Sequence, residues 1–413
     1  IIELYSIIKK YLPNLLDKFE KLTDVRHQSY ITYNMKTICV TRLFGLICGL
    51  TSLSNISSDK FNTDACIKNI SNICTAKLAE LPYWETIQDV FMNIKISELK
   101  DIQKYIVKTL LRSKMFDKYK FEGAFQLLFD GTGLSNHNYN LNGNCLQRKH
   151  KDGKVSYYKY VLECKLVVGN IVISLDSEFI ENKKMLTEKQ KQDCETKAFK
   201  RMIKRIKENY PKYKFIITGD GLYATTPIIN ICKNYHWFYI FNLKPDRLKE
   251  INDAFEGNIR LLNETTKPNY FLSSNIEFNK NIFNVFKYIE TKKNKITTFR
   301  YISNIQVNDD NIDKVVKLGR QRWKIENEGF YTQKHRTFDI THLNSRNDNS
   351  MKCHYYFIQF AHTIRQLLEL GNILTKSLKL KIKEVSANLL KSLTSTISDL
   401  NDLQTNFQLR FDD

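Results

Sequence analysis

The stretch from Asn311 to Arg336, NIDKVVKLGRQRWKIENEGFYTQKHR, constrains this chain more than any other. Steps of three and four residues from Ile312 pass through Val316, Gly319, Trp323, Glu326 and Phe330, the repeat of one long helix with a packed face. That face is apolar or small except at Glu326, whereas Glu328 falls with Lys317, Gln321 and Lys324 on the polar side. A carboxylate on a packed face is costly unless something cationic meets it there. It is either half of a buried ion pair with Arg or Lys, or a metal ligand. Other carboxylates upstream separate the two readings.

Two apolar strands supply them. Phe125–Phe129 runs into Asp130 and the turn Gly131-Thr132-Gly133, and Lys214–Thr218 runs into Gly219-Asp220-Gly221. In an α/β sheet, ligands gather beyond the carboxyl ends of parallel strands. If these two strands are neighbours, Asp130 and Asp220 meet at one edge, and Glu326 on the inner face of a crossing helix supplies a third carboxylate. Three oxygen ligands suit Mg²⁺, which keeps several waters and completes its shell with substrate phosphate. Either Asp alone is an ordinary Asp-Gly turn; the ordered set in a basic chain is the stronger signal.

The rest of the pattern frames this set. Helical spacing recurs in Leu4–Phe19, Thr37–Leu53 and Ile96–Leu111, so residues 1–117 read as a helical unit, either a DNA-binding helix-turn-helix or a plain bundle. Tyr157–Val168 and Ile171–Phe179 form a hairpin about Gly169-Asn170. A basic helix over Lys189–Asn209, a helix over Thr225–Asn234 and a buried strand over Trp237–Leu243 follow. Between about 244 and 297 short strand-like pieces, Tyr270–Leu272 and Asn284–Ile289, make a β-rich insertion, and a strand over Thr297–Ile305 leads into the Glu326 helix. Helices over Tyr355–Leu370 and Leu378–Leu393 close the chain.

At 413 residues the chain is long enough for two or three units, and 64 Lys+Arg against 44 Asp+Glu give a net charge of +20 spread along its length. A broad basic surface suits a polyanion such as nucleic acid, although a Lys- and Asn-rich proteome gives the same balance. The 9 cysteines are scattered with no CxxC, which fits free thiols in a reducing compartment and neither a disulfide framework nor a zinc site. Cys353-His354 has no second pair at ligand spacing. No apolar run approaches the roughly 18–20 residues of a membrane span, and no signal peptide is expected.

Three ordered blocks resemble a known family: Leu127-Leu128-Phe129-Asp130-Gly131-Thr132-Gly133, Gly219-Asp220-Gly221-Leu222-Tyr223-Ala224, and Arg322-Trp323-Lys324-Ile325-Glu326-Asn327-Glu328-Gly329-Phe330. With Trp237–Lys244 and Arg247, they are similar to bacterial insertion-sequence DDE transposases carrying a Tyr-x2-Arg-x3-Glu-x6-Lys signature. The resemblance spans roughly Leu81 to Leu370. It implies an RNase H-like mixed five-stranded sheet with flanking helices, interrupted by the β-rich insertion before the Glu helix. The domains expected are a helical DNA-binding unit over 1–117, a catalytic domain over 118–372 and a helical tail over 373–413. The resemblance assigns Asp130, Asp220 and Glu326 as catalytic residues and metal ligands for two Mg²⁺ ions, with Mn²⁺ able to substitute and Asp130 shared.

It also implies a bacterial cytoplasmic, nucleoid-associated protein that cuts transposon ends at terminal inverted repeats and transfers the strands to target DNA as a homodimer. A nuclease of the same fold, or a DNA-binding derivative without catalysis, are the alternatives. Arg322 matches the signature Arg, and with Lys334 and Arg336 it is expected to serve DNA phosphates; its i,i+4 relation to Glu326 offers a structural role instead. Arg148 and Lys149, in the basic run beside the hairpin, are expected to face DNA or to form a solvated turn. Two departures stand out: Gly319 holds the signature Tyr position, and Gln333 the signature Lys position, with Lys334 one residue beyond. Trp323 is expected in the core.

Overall fold

The computed structural model describes residues 1–182, 192–262, 267–293, 295–373, 382–403 and 405–411. Six α-helices open the chain: α1 (Ile2–Tyr11), α2 (Leu15–Glu20), α3 (Met35–Ile47), α4 (Asp64–Cys74), α5 (Trp84–Phe91) and α6 (Ile96–Arg112). The helical spacing over Leu4–Phe19 is divided between α1 and α2 around Pro13, whose ring cannot continue a helix. Then follow β1 (Ala124–His137), β2 (Leu146–Lys149), β3 (Val155–Val168), β4 (Ile171–Ile180), α7 (Glu195–Asn209), β5 (Lys214–Gly219), α8 (Thr226–Asn234) and β6 (Phe238–Asn242). The start of the expected basic helix, residues 189–191, lies outside the described residues.

The insertion comprises α9 (Lys249–Asn258), β7 (Arg260–Leu261), β8 (Tyr270–Phe278), β9 (Asn281–Lys292) and β10 (Lys295–Ser303). Next come α10 (Ile312–Arg320), a π-helix (Ile325–Arg336), α11 (Asp348–Glu369) and α12 (Ile382–Ser395). Residues 378–381 of the expected last helix lie outside the described residues.

The mixed α/β sheet with flanking helices is present, and with the strands of the insertion it counts ten, in the order β2-β3-β1-β5-β6-β10-β9-β8-β7 with β4 on β3. β1 pairs antiparallel with β3 and parallel with β5, and β5 runs parallel to β6. The insertion continues this same sheet, because β10 pairs antiparallel with β6 through Tyr301↔Asn242, Ile302↔Phe241 and Ser303↔Ile240.

Alternation along the strands sorts the two faces. Phe125, Leu127, Phe215, Ile217, Tyr239 and Phe241 join the core shared with α7 and α8, with Phe129 edge-on to Phe199 at 4.8 Å. Ala124, Ile216, Ile240 and Tyr301 pack against Ile312, Val315 and Val316 of α10, and Leu128 packs against Ile325 and Phe330 of the π-helix. Gln126 ties this face together, donating to Thr218 Oγ1 at 3.0 Å and to the Leu318 carbonyl at 2.7 Å.

The helical region is not a separate layer. The 22-residue α11 is buried along nearly its whole length, and it packs on α1, α3, α5 and α6 as well as on β4. Phe19 stacks on Phe357 at 5.6 Å and Phe91 approaches Phe357 at 4.8 Å, so one continuous apolar core runs from α1 into the sheet.

Two sequence expectations need correction. β1 does not end in a turn at Asp130 but continues through Gly131 to His137, because β3 pairs with it over that whole length. The expected single helix over 311–336 is two elements, α10 and the π-helix, separated by a turn at Gln321 and Arg322. The change of pitch alters the packed face: Arg322 is 9% exposed, whereas Trp323 is 52% exposed rather than in the core.

Candidate active site

Asp130 is in phase with Gln126 and Leu128, so its side chain stands on the face covered by α10 and the π-helix. The β1–β5 register ends at Leu128↔Thr218, and Asp130 and Asp220 each lie two residues beyond it. Asp220 therefore sits where β5 gives out beside the continuing β1. Its carboxylate accepts the Leu222 N–H at 2.7 Å, which shapes the turn that follows.

Glu326 approaches Asp130 from the first turn of the π-helix, close enough for its carboxylate to act on the Asp130 carboxyl. Burial, with Glu326 and Glu195 beside it, pushes Asp130 up to about 7, against a downward pull from the Gly131 N–H at 2.9 Å. Arg322 Nη1 lies 3.6 Å from Asp130 Oδ2, so the signature arginine meets the Asp rather than Glu326. The Arg322 guanidinium also stacks on Trp323, 4.5 Å from its ring centroid.

Lys334 lies on the same side. Burial depresses its ammonium, and the charges of Glu326 and Asp130 act to hold it up. Gln333 is fully buried instead and turned toward α11. Glu328 lies by Lys324. Arg336 is exposed and stacks on Tyr331 at 5.1 Å. Arg148 and Lys149 are exposed on β2, which pairs with β3 only at Val155–Tyr158. Tyr158 lies opposite Asn136, six residues along β1 from Asp130, and Arg148 and Lys149 pair two and three residues further on, so they sit more than roughly 20 Å up the ribbon from the carboxylates.

Two features of the site escaped sequence reading. Glu195, the first residue of α7, accepts the Tyr223 hydroxyl at 2.5 Å. Burial raises Glu195, with Tyr223 pulling it down and the Asp220 charge pushing it up. Glu195 also explains Gly131: a Cβ there would lie 2.9 Å from Glu195 Oε2 and 2.4 Å from the Tyr160 ring. An acidic residue opening a basic helix reads as a favourable dipole partner, so nothing in the sequence marked it. The second is Tyr301, whose ring fills the space over Gly319; a Cβ at Gly319 would lie 2.7 Å from it.

A cleft of about 460 Å³ is lined by Trp323, Tyr270, Tyr288, Phe299, Lys317 and Arg320, among others, and by none of Asp130, Asp220 and Glu326. A larger cavity of about 1250 Å³ lies between α4 and residues 397–401 and is lined by none of the carboxylates, so size does not identify the site. Among the described residues no three Asp, Glu, His or Cys side chains are already gathered closely enough to hold an ion. The donors nonetheless fit a hard divalent cation: they are all carboxylate oxygens, and Asp130 and Glu326 crowd one another without a full counter-charge.

Residues 127–364 match the profile of the transposase DDE domain. The chain belongs to that DDE transposase family. Its function is accordingly DNA transposition, and the family generally uses divalent metal ions. A solved piggyBac transposase synaptic complex with hairpin DNA is similar at 12% identity and a TM-score of 0.42, covering 95% of this chain and 80% of that one. No curated protein matches. Among the described residues no helix is long and apolar enough to cross a membrane.

Proposed function

We propose that Asp130, Asp220 and Glu326 are the catalytic carboxylates of this transposase and hold two Mg²⁺ ions, with Mn²⁺ able to substitute. The observation that carries this reading is the matched register of Asp130 and Asp220, each two residues past the last β1–β5 pair, with Glu326 brought up beside Asp130. Such ions would supply Lewis acidity and charge neutralisation at the scissile phosphate. The chain's own residues do the rest. Asp130, Asp220 and Glu326 would hold the ions, Arg322 steadies Asp130, and Lys334 offsets phosphate charge. Arg336, Arg148 and Lys149 extend the phosphate contacts, and the aromatic and basic cleft at Trp323 suits nucleic acid.

The substrate in this reading is double-stranded DNA: terminal inverted repeats, cut to free a 3′-hydroxyl, and a target to which it is joined within a homodimeric assembly. The helices of residues 1–117 contribute the sequence-specific contacts to the element ends. The test uses a labelled duplex carrying the element end, with Mg²⁺ or Mn²⁺. Asp130→Asn, Asp220→Asn and Glu326→Gln should each lose strand cleavage while retaining or tightening DNA binding, and Glu328→Ala should cleave normally. Full cleavage by Glu326→Gln, or its loss in Glu328→Ala, would overturn the assignment.

A further inference from the structure

The family signature puts its cation seven residues after Glu326, where this chain has Gln333. We propose that Gln333 is a positioning residue whose buried amide sets the register of the π-helix, so that Lys334 and not position 333 faces the carboxylates. The inference rests on the reading of Lys334 as a phosphate cation.

Two α turns take about seven residues, so an α-helix would return residue 333 to the side of Glu326. Turns closed by i→i+5 bonds each take up about one residue more. Over the same interval residue 333 is carried off that side, and the element ends with such a bond, Thr337 N–H to the Thr332 carbonyl at 3.2 Å. Wide turns of this kind are rare and usually short, so something must hold twelve residues of them.

Gln333 is placed to do so. Its Nε2 donates to Gln359 Oε1 at 2.7 Å and to His362 Nδ1 at 3.0 Å on α11, where burial keeps His362 neutral and able to accept. Gln359 Oε1 also accepts from Lys165 Nζ at 3.1 Å, and Lys165 pairs with Glu163 at 3.2 Å, both side chains wholly inaccessible. Glu163 is completed by the hydroxyls of Tyr355, Ser174 and Ser177, and it is the strand partner of Asp130. The network therefore runs from the neighbour of Asp130 to the π-helix. A buried polar chain of this kind is costly to break, which leaves Gln333 one place to go. The backbone agrees: Ile340 N–H donates to the Gln333 carbonyl at 2.8 Å, and Gly329 lets Lys165 pass where a Cβ would stand 3.1 Å from its Cε.

The register is read without DNA by single cysteines in a Cys194→Ser background, since Cys194 is the one exposed cysteine of the nine. Gln333→Cys should react with a maleimide at least about 100-fold more slowly than Lys334→Cys, as for a position reached only by opening. Equal or reversed rates would overturn the register. In binding assays Lys334→Gln should lower the salt slope by about one, and the exchange Gln333→Lys with Lys334→Gln should not restore it. Restoration by the exchange would overturn the register while upholding the phosphate role. An unchanged slope in Lys334→Gln, with slow labelling at 333, would remove the phosphate role and leave the register standing. An exchange variant that does not fold counts for burial at 333.

Discussion

Asp130 carries more negative charge around it than its surroundings neutralise. Its folded-state value of about 7 lies above that of an unfolded aspartate near 4. Between those values the folded chain binds the extra proton, so this group makes metal-free protein less stable as pH rises through that window. Thermal midpoints measured in chelator from pH 4.5 to 7.5 should show this downward contribution in the native protein, and Asp130→Asn should remove it. A pH dependence identical in the two proteins would contradict the account. A second prediction concerns Tyr223, which satisfies Glu195. Tyr223→Phe leaves that carboxylate without its donor and should cost about 1–3 kcal/mol in urea melts; a change below a few tenths would show the bond to be idle. The neighbouring positions of Asp130 and Asp220 were legible because each follows an apolar strand, and Glu326 stood out as the one charge on an otherwise apolar face. Glu195 and the burial of Arg322 were not, since both depend on which elements meet in space.

At the scale of elements, the apolar strands, the Gly169-Asn170 hairpin and α11 were legible from period and punctuation. The missed features share one cause: local pattern does not report pairing or pitch. Asp130-Gly131-Thr132-Gly133 reads as a turn, yet β3 lies alongside it and extends β1 to His137. The 3.6-residue repeat put Trp323 inside, and the turn at Gln321 and Arg322 put it out. Gly319 shows how packing overrides propensity. In an open helix Gly→Ala gains about 0.5–1 kcal/mol. Here the new methyl meets the buried Tyr301 ring at 2.7 Å, and such overpacking costs about 1–3 kcal/mol. Gly319→Ala should therefore lower the melting temperature, and Tyr301→Ala should relieve the added strain in the double variant. A Gly319→Ala protein more stable than the parent would show that the ring yields freely.

At the scale of the whole molecule, the helical region was legible as helices but not as part of a common core. Because α11 fills its own groove between α1, α3, α5 and α6, removing residues 1–117 should expose its apolar faces. The truncated chain should aggregate or lose cooperative melting by calorimetry, and a soluble, cooperatively melting 118–413 fragment would contradict this. End recognition is therefore better probed by exchanging exposed lysines of the first six helices than by deletion. The ten-stranded sheet has a mechanical counterpart. Hydrogen-bonded strands keep a spacing of about 4.8 Å, and five intervals separate β1 from β8. β8 of the insertion is thus held at a gauge length of roughly 24 Å from the strand bearing Asp130. A swinging arm would let that span vary; a woven beam joined to β6 keeps it constant.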